Sequence, residues 1–96
     1  MQKYYLRLYI KESTPASLRA IKNLDIICKE ELKGRVEVEI IDVMKQPQLA
    51  EDDQILAVPT LVKRLPKPLR KLIGDLSNKE LVLFGLDLAE DSKMSA

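Results

Sequence analysis

Residues 4–43 read YYLRLYIKESTPASLRAIKNLDIICKEELKGRVEVEIIDV, and their patterning carries the fold class. Side chains alternate over 4–10: Leu6, Leu8 and Ile10 face one way, Tyr5, Arg7 and Tyr9 the other. Aromatic and branched residues at period two make a strand. Tyr5 and Tyr9 are expected to pack under a helix. Ser13, Thr14 and Pro15 then open a helix, because a hydroxyl caps free N–H groups and proline suits the first helical position. Leu18, Ile21, Leu24, Cys28 and Leu32 follow at helical spacing, an apolar stripe that Gly34 ends. Residues 36–43 alternate around Glu37 and Glu39 and form a second strand. Strand, helix and strand make a βαβ unit, so the two strands run parallel. Acidic alternation gives the second strand one wet face or an edge position, where glutamates discourage uncontrolled pairing.

Outward from this unit the signals thin. Pro47 opens a short helix that ends in Glu51-Asp52-Asp53. Strands over Thr60–Leu65 and Leu69–Ile73, joined at Pro66–Pro68, predict a hairpin. Ser77 and Glu80 have the spacing of a capping box, and Leu81, Phe84 and Leu88 that of a helix. Two alternatives stay open. Leu81–Phe84 also reads as a strand, since Gly85 costs a helix ~1 kcal/mol relative to alanine. Thr60–Leu65 and Leu69–Leu76 also read as short helices broken by prolines, because short apolar runs are not assigned by periodicity alone.

The chain has 96 residues, 46% of them hydrophobic, which predicts one globular domain over 1–96, ordered about 3–90 with 91–96 as a loose tail. Sixteen basic and fifteen acidic residues leave a net charge of +1, so no global field draws the chain to nucleic acid or an anionic membrane. No apolar run is long enough to span a bilayer, and the charged N-terminus does not read as a signal peptide. One cysteine and no histidine exclude an internal disulfide, zinc clusters, Ser-His-Asp triads and Cys-His pairs. The expected compartment is a reducing cytoplasm. No paired carboxylates, phosphate-cradling loop or nucleophile–base pair is recognisable, so no catalytic, cofactor or metal site is expected. Cys28 reads as a small core residue.

The order of elements in the first half, with Val58-Pro59-Thr60 opening the next strand, resembles a thioredoxin-like fold. The resemblance implies a βαβαββα chain with a mixed four-stranded sheet and a cis bond before Pro59. Thr14-Pro15-Ala16-Ser17 stands where that fold carries its redox dithiol, and disulfide exchange needs a thiolate.

A narrower resemblance rests on Thr14-Pro15-x-Ser17-x-Arg19-Ala20, Ile41-Asp42-Val43, Pro47-Gln48-Leu49-Ala50-Glu51, Ala57-x-Pro59-Thr60-Leu61, Ile73-Gly74-Asp75-Leu76-Ser77 and Gly85-Leu86-Asp87-Leu88. Together these resemble the KaiB family of bacterial circadian clock proteins over about residues 4–88. The resemblance implies a fold-switching chain. Its resting form is a homotetramer of βαββααβ order, and its active form is a thioredoxin-like monomer. It implies an adaptor, not an enzyme, that binds the N-terminal ATPase ring of KaiC, captures KaiA on its edge strand and competes with the histidine kinase SasA. Partner contacts are implied at Arg19, Lys45, Gln48, Glu51, Gln54, Lys63, Arg64, Arg70 and Lys71. Pro59, Gly85 and Asp87 are implied in the switch. Departures from the clock members are Gln54 and Glu39 where they carry lysine, a missing tyrosine after Leu88, and a short tail. A divergent paralogue, or a redox-dead module in stress signalling, is the alternative.

Lys63, Arg64, Lys67, Arg70 and Lys71 put five positive charges into nine residues with no acid among them. A solvated hairpin and docking on an acidic protein surface both fit this run. Single-strand nucleic-acid binding does not, because no aromatics are interleaved. Glu51-Asp52-Asp53 reads as a helix end in solvent or a contact to a basic partner, not as a metal site, since consecutive carboxylates point apart.

Overall fold

A computed structural model describes residues 3–88. The element order is β1 (Tyr4–Ile10), α1 (Pro15–Ile27), a π-helical turn (Cys28–Leu32), β2 (Val36–Asp42), α2 (Pro47–Asp52), β3 (Thr60–Leu65), β4 (Arg70–Ile73) and α3 (Lys79–Gly85). The expected loose tail lies outside the described residues.

Four strands form one sheet in the order β2-β1-β3-β4. β1 and β2 are parallel, from Tyr4↔Val36 to Ile10↔Asp42, as the βαβ reading requires. β3 runs antiparallel to β1, and β4 antiparallel to β3. The apolar-branched positions of β1 set the layering. Tyr4, Leu6, Leu8 and Ile10 pack with Ala20, Leu24 and Ile27 of α1 and Val82 and Leu83 of α3. On the opposite face Tyr9, Ile41 and Val62 pack with Leu49 and Ala50 of α2. Each fully buried leucine or isoleucine contributes about 1.5–3 kcal/mol through removal from water.

Four details differ from the sequence reading. The inner line of α1 is Ser17, Ala20, Leu24 and Ile27, while Leu18 is 57% exposed. Small Ser17 and Ala20 let the helix approach the sheet, and the Lys11 amide donates to Ser17 Oγ at 3.0 Å, so a hydroxyl is buried satisfied. Leu32 is fully buried because the π turn adds a residue before Lys33 and Gly34, both at positive φ, end the helix. α3 is capped by Asn78, whose Oδ1 accepts from the Leu81 amide at 3.0 Å, not by Ser77. The Ser77 amide instead donates to Asp75 Oδ1. Tyr9 is buried under α2 as expected, but six-residue α2 is too short to cover Tyr5, which is exposed.

β2 is an edge strand with Glu37, Val38, Glu39 and Ile40 exposed. The hairpin of β3 and β4 is formed, and α3 rather than a strand follows it. The Val58–Pro59, Leu65–Pro66 and Lys67–Pro68 peptide bonds are cis.

Candidate functional site

Among the described residues a network of side-chain hydrogen bonds gathers where α2 meets the sheet, and its centre is Asp53, the residue that ends α2. Its carboxylate accepts from Tyr9 Oη at 2.6 Å, Arg7 Nη1 at 3.2 Å and Arg64 Nη1 at 3.0 Å. Its carbonyl accepts from Lys71 Nζ. Arg7 also donates to Glu39 Oε1 on β2 at 2.9 Å. One residue thus reaches β1, β3 and β4 directly and β2 through Arg7. This follows from alternation: Arg7 and Tyr9 lie on the α2 face of β1, and Arg64 and Lys71 on the same face of β3 and β4.

Burial pushes the Asp53 carboxyl upward. The hydrogen bonds from Tyr9 and Arg64 and the charges of Arg64 and Arg7 outweigh it and hold the group below the usual carboxylate range. Burial, then the hydrogen bond to Asp53, push the Tyr9 phenol up, so it stays a donor at neutral pH.

The residues expected to contact partners divide into three groups. Arg64 and Lys71 are drawn onto Asp53. Lys71 also reaches the Gln54 carbonyl at 3.5 Å, and Gln48 Nε2 donates to Asp52 Oδ1 at 2.8 Å, so Gln48, Glu51 and Gln54 share this neighbourhood. Arg19 lies elsewhere, on Asp75 at 2.8 Å, and Lys45 pairs with Glu12 at 3.2 Å in solvent. Arg70 projects into solvent on the other face of β4, as does Lys67 in the turn.

Lys63 corrects the picture of a wholly solvated hairpin. It faces the α1–α3 layer beside Leu61 and is 1% exposed. Burial lowers its pKa, the charge of Asp87 counters this, and Arg70 adds to the lowering. Asp87 is exposed, at φ +61 just past α3. Gly85 is the last residue of α3, and a Cβ there would meet Leu72 Cδ1 at 3.8 Å, an ordinary contact. Pro59 is buried before β3, its carbonyl accepting from the Gly74 amide at 2.9 Å.

Sequence reasoning missed Asp53 because three adjacent carboxylates look alike. The available signal was Arg7 and Tyr9 on the non-core face of β1, a cation and a phenol that need an anion once covered. The thioredoxin dithiol positions carry hydroxyls already engaged: Thr14 Oγ1 donates to the Lys11 carbonyl at 2.8 Å, and Ser17 Oγ accepts as above. Cys28 is half-buried, and burial together with Asp25 pushes its thiol up to about 11, away from the thiolate range of reactive cysteines.

A model of the KaiB family, described as the KaiB domain, matches residues 7–88. The chain belongs to the KaiB family. A circadian clock oscillator protein KaiB from Thermostichus vulcanus is 58% identical over 85 residues, covering 88% of this chain and 79% of that protein. Among solved structures, the N-terminal domain of Synechococcus elongatus SasA superposes with a TM-score of 0.67 at 27% identity, covering 84% of this chain and 77% of that domain. Mitochondrial thioredoxin 3 from Saccharomyces cerevisiae superposes with a TM-score of 0.72 at 18% identity, covering 91% and 79%. This KaiB-family chain therefore has a thioredoxin-like α/β fold. No helix among its described residues is long and apolar enough to cross a membrane.

Proposed function

We propose that this chain is a non-enzymatic, cytoplasmic clock adaptor that binds the N-terminal ATPase ring of a KaiC-type protein as a thioredoxin-like monomer. Through that binding it regulates the ring protein's phosphorylation and output. Exchange with a resting homotetramer of the other fold is part of this reading, with Pro59, Gly85 and Asp87 in the segments that rearrange. The observation that carries it is the KaiB match over 7–88 in a chain whose architecture is also that of the SasA N-terminal domain. Two domains of one shape can compete for one ring.

Arg70 and Lys67, the hairpin cations that project into solvent, are the first candidates for an acidic surface on the ring. Arg64 has the Asp53 carboxylate to leave first, and Lys71 the Asp53 carbonyl. The test is affinity capture of a purified KaiC-type ring, followed by displacement with a SasA-type domain. Binding should weaken with salt, since exposed pairs are screened over about 10 Å at 0.1 M. It should fall further in Arg70→Glu. Absence of ring binding refutes the adaptor reading.

Glu39 favours a second reading, a KaiB paralogue or redox-dead interaction module outside the clock. It stands on the open edge of β2 where the clock members carry lysine, and a reversed charge at an interface costs association rate and specificity. Ring binding without KaiA capture would support that reading.

A further inference from the structure

Lys63 is the one charged residue that is buried among those described, at 1% exposure. Alternation puts it there. It stands opposite Leu6 of β1 and Arg70 of β4, on the face that α1 and α3 cover. Its ammonium makes no hydrogen bond or ion pair with another described residue. No buried polar side-chain atom among the described residues lacks a partner, so the ammonium itself meets water. The stem is held in the core and the charged tip comes out at the surface.

Two charges act on that tip, those of Asp87 and Arg70. Asp87 lies exposed just past α3 at φ +61, and Arg70 is exposed on the edge strand β4. Gly85 brings the end of α3 beside Leu72 with no side chain in between. The other ionisable group on this face of β1 is the buried Tyr4 phenol. Arg64 and Lys71 face α2 and are taken up by Asp53, and Lys67 lies in solvent further along the hairpin. The tip of Lys63 is thus one of two cations set against one carboxylate, and Asp87 closes an ion pair with neither. Like charges directly opposite on neighbouring strands oppose each other, which leaves a place for an anion.

We propose that Lys63 and Arg70 form an oxyanion site at the β4 edge, taking a phosphate or carboxylate group between ammonium and guanidinium, with Asp87 as its internal competitor. A lysine whose stem is already fixed loses little freedom on binding. A guanidinium offers paired donors that match either group. An anion held by both residues ties β3 to β4 and binds only the folded chain, so it stabilises this fold. The site stands whether or not the chain docks on a KaiC-type ring.

Thermal unfolding of the full-length chain is followed in inorganic phosphate and in acetate, with chloride holding the ionic strength constant. The same titrations are read residue by residue from backbone amide NMR shifts. At roughly ten times its dissociation constant, such an anion should raise the Tm by about 6–10 °C. The largest amide shifts should fall on β4 and residues 85–88. Lys63→Met should lose the anion response, and Arg70→Gln should bind about tenfold more weakly. Asp87→Asn removes the competing charge and should bind severalfold more tightly. A response to phosphate alone assigns a phosphate group as the ligand, and an equal response to acetate assigns carboxylates as well. A wild-type response in Lys63→Met, or no movement of these amides with either anion, overturns the site. Should Lys63→Met fail to fold, Arg70→Gln and Asp87→Asn change exposed positions, and an unaltered response in both overturns it equally.

Discussion

Replacing Asp53 by alanine should be among the most costly single changes available outside the two apolar cores. The side chains of Asp53 and Arg7 are 13% and 14% exposed, and Tyr9 is fully buried. Removing the carboxylate leaves the Arg7 guanidinium with Glu39 and the Tyr9 hydroxyl, and leaves that hydroxyl the Leu49 carbonyl at 3.0 Å as its acceptor. Breaking a buried pair by deleting one partner costs about 3–5 kcal/mol. Arg64 is 39% exposed and regains water, so its share is discounted. The remaining cost is about 2–4 kcal/mol, a large part of the stability of a chain this size. Asp53→Asn keeps the shape and an acceptor for Tyr9 but loses the charge, and should cost about half as much. Urea unfolding followed by circular dichroism reads both, with an unchanged slope showing that only stability moved. An Asp53→Ala midpoint within error of wild type would refute the clasp.

The same residue shapes the acid limb. Its folded pKa is depressed, so its contribution is fully present above its unfolded pKa of about 3.9 and is lost as pH falls through the lower folded value. Wild type should therefore lose stability faster than Asp53→Asn below about pH 4, the two curves converging in acid. Parallel curves would mean that the Asp53 charge carries no stability.

Gly85→Ala should raise the stability of this fold by up to ~1 kcal/mol, since the position is helical and open to a methyl group. A melting temperature no higher than wild type would show that the end of α3 is frayed. If the resting fold is also populated, the same change should enrich the thioredoxin-like monomer in size-exclusion profiles. Lys63→Met exchanges a desolvated ammonium for an apolar side chain of similar length and should raise stability by about 1 kcal/mol. A lowered midpoint would show that the ammonium is held more strongly than Asp87 alone explains. Cys28, with its thiol pushed up to about 11, should react with iodoacetamide far more slowly at pH 8 than a free cysteine, accelerating only above about pH 10. Fast labelling at pH 8 would place the thiol in solvent.

Local signals were legible wherever one residue type has one common use. Alternation in YYLRLYI, Pro15 at the start of α1 and the long helical stretch between two strands lead directly to parallel β1 and β2. The hairpin was legible from its prolines, although helical and strand readings of 60–88 competed until tertiary packing chose between them. Lys63, on the core face of β3, shows why alternation matters more than residue type there: its neighbours Val62 and Arg64 face α2, so Lys63 faces α1 and α3 whatever its charge.

The site was less legible for a related reason. The nine residues expected to contact partners were chosen by type and resemblance, whereas the partition between structural and available charges depends on which cations share a face with Asp53. That partition is a three-dimensional fact. Arg7, Arg64 and Lys71 come from β1, β3 and β4 and meet Asp53 only once the sheet has formed. A clasp of this kind couples the placement of the hairpin to the placement of the loop that follows α2. Any rearrangement that withdraws β3 and β4 must also release Arg64 and Lys71 from Asp53.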